Sequence, residues 1–208
     1  MNNILKLRIF VVALFLCLFH TVYVSAQTEN TELPYQMDAP ENWRHEHFSL
    51  PTPFAPKLTV TGSEEIRFHP GWEDAKSDGN LSYVFLWWVP GKTDINSKIL
   101  GNNLEIYFTG LVNYFAEKQR IPADKIIKTE ASLSKAPTVN GDRETYSGKL
   151  HLLNPFSQEV TDLNIKIHVL KISSKTNKPV RFEVSPKDFS DNMWEELRGV
   201  TISFKPAL

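Results

Sequence analysis

The chain predicts an α+β fold: a mostly antiparallel sheet packed with two main helices into a sandwich-like single domain. Three observations carry that expectation. Apolar residues repeat at helical spacing from Asn103 to Gln119, they do so again more briefly after Ser185, and most of the remaining sequence reads as short strands joined by turns.

The first 26 residues stand apart. Lys6 and Arg8 make a basic head, Ile9 to Phe19 an unbroken apolar run, and Val24-Ser25-Ala26 the small-residue pattern that a signal peptidase cuts after. Cleavage between Ala26 and Gln27 is expected. The run falls well short of the roughly 20 residues that span a bilayer, which predicts no stable membrane insertion after cleavage. Residues 27–42 are polar, lack periodicity and read as a flexible leader, so the domain is expected over 43–208.

Within the domain, His47 to Leu50 and Leu58 to Thr61 read as short strands, separated by Pro51, Pro53 and Pro56, because proline interrupts a ladder. Glu65 to Phe68 follows, with Ile66 and Phe68 on one face. Pro70-Gly71 and Asp78-Gly79 mark turns, and the apolar run Leu81 to Val89 suits a central strand covered on both faces.

The first helix is expected from Asn103 to Gln119, its inward stripe being Leu104, Tyr107, Phe108, Leu111, Val112 and Phe115. Asn102 can cap it, and Ile121-Pro122 closes it. Ile126 to Leu133 and Glu144 to Leu153 read as strands joined through Asn140-Gly141, and Leu163, Ile165, Ile167 and Val169 alternate in the next. Val180 to Val184 adds another. Ser185-Pro186 opens the second helix, with Phe189, Met193 and Leu197 inward and Gly199 ending it, and Val200 to Phe204 closes the fold as a strand.

Composition narrows the function. The only cysteine, Cys17, lies in the export signal, so the mature chain has no thiol for a disulfide, a thiolate metal site or a cysteine nucleophile. Phe15 and Leu16 before it are bulkier than a lipoprotein signal carries, which argues against a lipid anchor. An exported chain without disulfides fits a bacterial periplasmic or secreted protein. Without Lys6 and Arg8 the 23 basic residues become 21 against 24 acidic ones, a net charge of −3, and no basic tract points to nucleic acid.

Two resemblances bear on this chain. Glu64-Glu65-Ile66-Arg67-Phe68-His69-Pro70-Gly71-Trp72 with Leu81-Ser82-Tyr83-Val84-Phe85-Leu86-Trp87-Trp88 resembles a core shared by uncharacterised exported bacterial proteins, which implies no particular activity. The order of elements, with the closing helix feeding Val200 to Phe204, is similar to the α/β sandwich of the photosystem II extrinsic subunits and the Ran-binding nuclear import factors. That similarity implies a fold on which small proteins dock to larger partners, and it assigns no site residue.

The chemistry-bearing candidates fall into two sets. His45 and His47 share one face of an extended strand, as two zinc ligands would, and His69 and Asp74 are available to complete a metal site. That set supports a metal-dependent hydrolase; the plainer alternative is polar residues at a strand entrance beside Trp43 and Phe48. His151 and His168 make no such pair, because a hairpin turning near Phe156 places His168 opposite Thr145, far along the ladder from His151. The second set is aromatic: Trp72, Tyr83, Trp87 and Trp88. The consecutive Trp87 and Trp88 must face opposite sides of the sheet, and an open side would make a partner or ligand surface, against the alternative of core packing beneath Trp194. The residues call for no cofactor. The expectation is an exported binding or accessory module for an unknown protein or a small apolar ligand, with the metal-dependent hydrolase and the apolar-ligand carrier as alternatives.

Overall fold

The alternation along β4, Tyr83–Pro90, decides the architecture. Tyr83, Phe85, Trp87 and Val89 point to one face and Val84 and Leu86 to the other, all buried, so the strand needs cover on both sides. The computed structural model, which describes residues 33–139, 141–173 and 176–205, supplies it in three layers. Pro34–Leu208 forms one unit. The expected export signal, the Ala26–Gln27 junction and the leader up to residue 32 lie outside the described residues.

The middle layer is a seven-stranded antiparallel sheet. β2 (Arg44–Leu50), β3 (Gly62–Phe68) and β4 form one meander, and β5 (Glu130–Ala136), β6 (Asp142–Asn154), β7 (Glu159–Leu170) and β8 (Asn177–Ser185) form another. The chain crosses the sheet on helix α1, Ser97–Gln119, from β4 to the far edge strand β5. The second meander then returns to set β8 beside β4, in the order β2-β3-β4-β8-β7-β6-β5. Among the described residues the protein is thus α+β, with a large antiparallel sheet and two helices, as its sequence predicts. Among the described residues no helix is long and apolar enough to cross a membrane.

α1 buries Leu100, Leu104, Tyr107, Phe108, Val112 and Ala116 against one face of the sheet. Tyr107 and Phe182 both lie parallel to Phe85, at 5.5 and 4.3 Å between ring centroids. Each such fully buried large side chain contributes about 1.5–3 kcal/mol relative to exposure. The helix starts six residues before the expected Asn103. Its N-cap is Asn96, which accepts from the Ile99 amide at 3.0 Å, and Arg120 ends it in the left-handed region at φ 55°. Asn103, inside the helix, accepts from the Thr59 amide at 2.9 Å. That bond stands in for a ladder, and the expected strand Leu58 to Thr61 is instead an irregular connection, bent at Thr59, that drops Leu58 and Val60 into the core.

The opposite face is covered by α2 (Met193–Gly199) and by a two-stranded sheet in which β1 (Tyr35–Asp38) pairs with β9 (Thr201–Phe204). β1 corrects the expected leader over 27–42: a partner strand from the far end of the chain orders Tyr35 and Met37, both buried. α2 is shorter than expected, because Ser185 still pairs with Asn164 in the β7–β8 ladder and a turn at Asp188–Asp191 intervenes. Phe189, expected inward, is exposed and packs its ring on Trp194 at 4.7 Å, whereas Met193 and Leu197 are buried. β5 begins at Glu130, after the 3-10 turn Ala123–Lys125, so Ile126 and Ile127 pack on the core from a connection and not from a strand. His168 does fall opposite Thr145, and His151 opposite Asp162, so the two histidines are well apart.

Candidate ligand cleft

α1 packs closest to β5 and β6, and the sheet face at β2 and β3 is left to loops and side chains. Register then assembles a cleft. On β2, Arg44, Glu46 and Phe48 face α1 and stand opposite Phe68, Ile66 and Glu64 of β3; Phe68 in turn stands opposite Tyr83 of β4. The connection after β2 contributes Pro53 and Phe54, and the second half of α1 contributes Tyr107, Leu111, Tyr114, Phe115 and Lys118. The enclosed volume is about 460 Å³.

Trp72 completes one end. Gly71 turns the chain at φ +81°, where an added Cβ would lie 2.2 Å from Ser77 Oγ, and the Trp72 carbonyl then accepts from Leu81 N and Asn80 Nδ2 at 3.1 and 2.9 Å. Its ring lies 4.7 Å from Phe68, 5.8 Å from Tyr83 and 5.7 Å from Phe115. The Arg44 guanidinium sits 4.6 Å over the Phe68 ring and bonds Glu73 at 3.2 Å; Lys118 Nζ lies 4.2 Å over Tyr114. Both cations therefore stay at the rim on aromatic faces, above an apolar interior.

Behind this lining lies Glu64, with no exposed surface. Trp87 Nε1 donates to its Oε1 at 2.9 Å, and no cation among the described residues accompanies it. Burial pushes its carboxyl up to about 8 despite the Trp87 and Tyr107 groups beside it. Burial also raises the Tyr83 and Tyr107 hydroxyls well above the ordinary range, with Glu64 adding to the effect. Trp72 Nε1, the Tyr83 hydroxyl and Glu64 Oε2 are buried without a hydrogen-bond partner among the described residues.

The four aromatic candidates separate. Trp72 and Tyr83 line the cleft together, Trp87 lies behind it on Glu64, and Trp88 is on the opposite face, 5.1 Å from Tyr35 and 6.1 Å from Phe204. Trp88 is covered by β1 and β9 and not by Trp194. The metal candidates do not converge. His47 bonds Glu65 at 2.9 Å, His45 is exposed, His69 bonds Glu196 at 3.0 Å, and Asp74 accepts from the Lys76 amide at 2.9 Å. Among the described residues no three His, Cys, Asp or Glu side chains are placed to hold a metal ion. His45 and His47 do share a face, as alternation requires, yet the turn that carries His69 aims it at α2.

The opposite face holds a second polar group. Asp142 Oδ2 lies 2.8 Å from His168 Nδ1 and accepts from the Thr145 hydroxyl at 2.6 Å. Glu183 lies 2.8 Å from Arg181 and 3.9 Å from His168 Nε2, and Arg181 also donates to the Leu197 carbonyl at the end of α2, at 2.8 Å. Burial works against the charges here, and its outcome differs by residue: opposite charges outweigh it at Glu183, below the usual carboxylate range, and at His168, above the usual histidine value, whereas burial holds Arg181 below the usual guanidinium value.

Arg44, Phe68 and Lys118 in the lining, and Glu64 behind it, are not singled out as site residues by spacing along the chain. Alternation on β3 carries the signal for one of them, because Glu64 shares a face with Ile66 and Phe68. Compared with protein-family models, curated proteins and solved structures, the chain matches none.

Proposed function

We propose that this chain is a non-catalytic binding module that holds a small apolar, ring-bearing molecule in the cleft between β2 and the second half of α1. The observation that supports it is the state of the helix stripe: Leu111 and Phe115, spaced to be core residues, are only half-buried and stand over an aromatic floor. A volume of about 460 Å³ lies within the roughly 300–1,000 Å³ of small-molecule sites. The lining holds no histidine, cysteine or serine, which leaves it without the common nucleophile and base pair. With the export signal expected at residues 1–26, the reading is of a periplasmic or secreted carrier.

Calorimetric titration with 2-ethylnaphthalene tests this. One saturable site is expected in the wild type, and none in Leu111→Trp, which fills the cleft, with the far-ultraviolet circular dichroism of the two proteins alike. Absence of saturable heat in the wild type, or unaltered binding in Leu111→Trp, overturns the reading.

A further inference from the structure

We propose that the occupant of this cleft carries a hydrogen-bond acceptor oxygen, a carbonyl on a ring system, which receives the protons of the Trp72 indole and the Tyr83 hydroxyl. The inference rests on the reading of the cleft as a ligand site and specifies the ligand's chemistry. Its basis is a pair of unpartnered, sealed polar atoms carried by two residues of the lining. Tyr83 is 1% exposed and Trp72 4%, both line the cleft, and neither Trp72 Nε1 nor the Tyr83 hydroxyl has a partner among the described residues. Leaving such a group buried and unmade carries its full desolvation cost, so an occupant that satisfies it gains what the free protein forgoes. An indole nitrogen only donates, which means that the complementary ligand atom must accept.

The acceptor is uncharged. Arg44 and Lys118, the cations of the lining, lie over the faces of Phe68 and Tyr114, and Arg44 is already paired with Glu73. A carboxylate carried inward past them would lose water without gaining a cation, and an ammonium could not satisfy the Trp72 indole, which only donates. Both donors are sealed from solvent, so the ligand reaches them by displacing a side chain. Arg44 is the one placed to move: its guanidinium lies over Phe68 and Trp72, it is half exposed, and the carboxylates that hold it there, Glu73 at 3.2 Å and Glu46 at 3.8 Å, are themselves solvated.

The test compares 2-acetylnaphthalene with 2-ethylnaphthalene, which differ chiefly in the carbonyl oxygen, by calorimetric titration of the wild type, Tyr83→Phe and Trp72→Phe. The wild type should bind the ketone about tenfold more tightly, the worth of one well-made hydrogen bond. That preference should vanish in at least one variant while the hydrocarbon still binds. Tyr83→Phe removes only an unsatisfied hydroxyl and keeps the ring, so it should fold. Equal wild-type affinities, or a ketone preference that survives in both variants, overturns the inference and leaves the cleft reading standing. Failure of both probes to bind overturns the two together.

Discussion

Glu64 and Glu183 occupy opposite faces of the same sheet, both almost fully buried, and their carboxyls shift in opposite directions. Glu64 faces aromatic rings and an indole N–H with no cation beside it, and burial raises it to about 8. Glu183 is desolvated nearly as thoroughly, but Arg181 at 2.8 Å and His168 at 3.9 Å hold it below the usual range. Near neutral pH the first is a protonated acid and the second an ion. Burial alone therefore does not determine what a buried carboxyl does; the neighbour does.

The same substitution should consequently have opposite signs at the two positions. Glu183→Gln removes the charge that Arg181 and His168 require, and equilibrium urea unfolding at pH 7 should show a loss of about 3–5 kcal/mol. Glu64→Gln keeps a neutral group of the same shape and should stabilise at the same pH by roughly 1–3 kcal/mol, since the unfolded chain no longer gains by ionising there. Equal effects at the two sites would erase the distinction between them.

The pH dependence sharpens it. A carboxyl raised in the folded state contributes fully below its unfolded value near 4.5, and that contribution is lost as pH rises through about 8. Between those values stability should fall by roughly 1.4 kcal/mol per pH unit from Glu64 alone, and Glu64→Gln should remove that slope. The other face adds a different window. His168 is raised, so its contribution is full below about 6.5 and declines above it; Glu183 is lowered, so its contribution is lost as pH falls below its ordinary range. Unfolding of Glu64→Gln across pH 4 to 9 should leave this second pattern, with its maximum in the mildly acidic range between about pH 4.5 and 6.5.

Smaller effects are expected where polar groups are unsatisfied or solvated. Tyr83→Phe should stabilise slightly, by up to about 1 kcal/mol in thermal or urea unfolding, because it deletes a buried hydroxyl without a partner. A loss of several kcal/mol would show that this hydroxyl is satisfied. Replacing His45 and His47 together with alanine should change stability least, within about 1 kcal/mol, since His45 is exposed and the His47–Glu65 pair is partly solvated. Chelator should leave the melting temperature unchanged; a marked drop would restore these two histidines as metal ligands.

Much of the fold was legible because it follows from local spacing. Leu163, Ile165, Ile167 and Val169 alternate and lie buried on one face of β7; Trp87 and Trp88 face opposite sides, as consecutive strand residues must; and hairpin geometry placed His168 opposite Thr145. The stripe of α1 was equally legible from Leu104 to Phe115. Its start was not, since the first turn capped by Asn96, Ser97 to Leu100, is followed by Gly101, Asn102 and Asn103, which interrupt the apolar spacing.

What the sequence determined by itself is therefore the class of the fold, most of its elements and the face to which each side chain turns. Only the tertiary structure decided which faces meet. Tyr35 and Met37 become a strand because β9 arrives from the other end of the chain, and Leu58 to Thr61 fails to become one because Asn103 takes the Thr59 amide. Leu111 and Phe115 have the spacing of core residues, and they line a cleft because α1 settles towards β5 and β6, away from the β2 edge. Periodicity is a property of neighbours along the chain, whereas partners, cavities and the charge state of Glu64 depend on contacts between segments far apart in it.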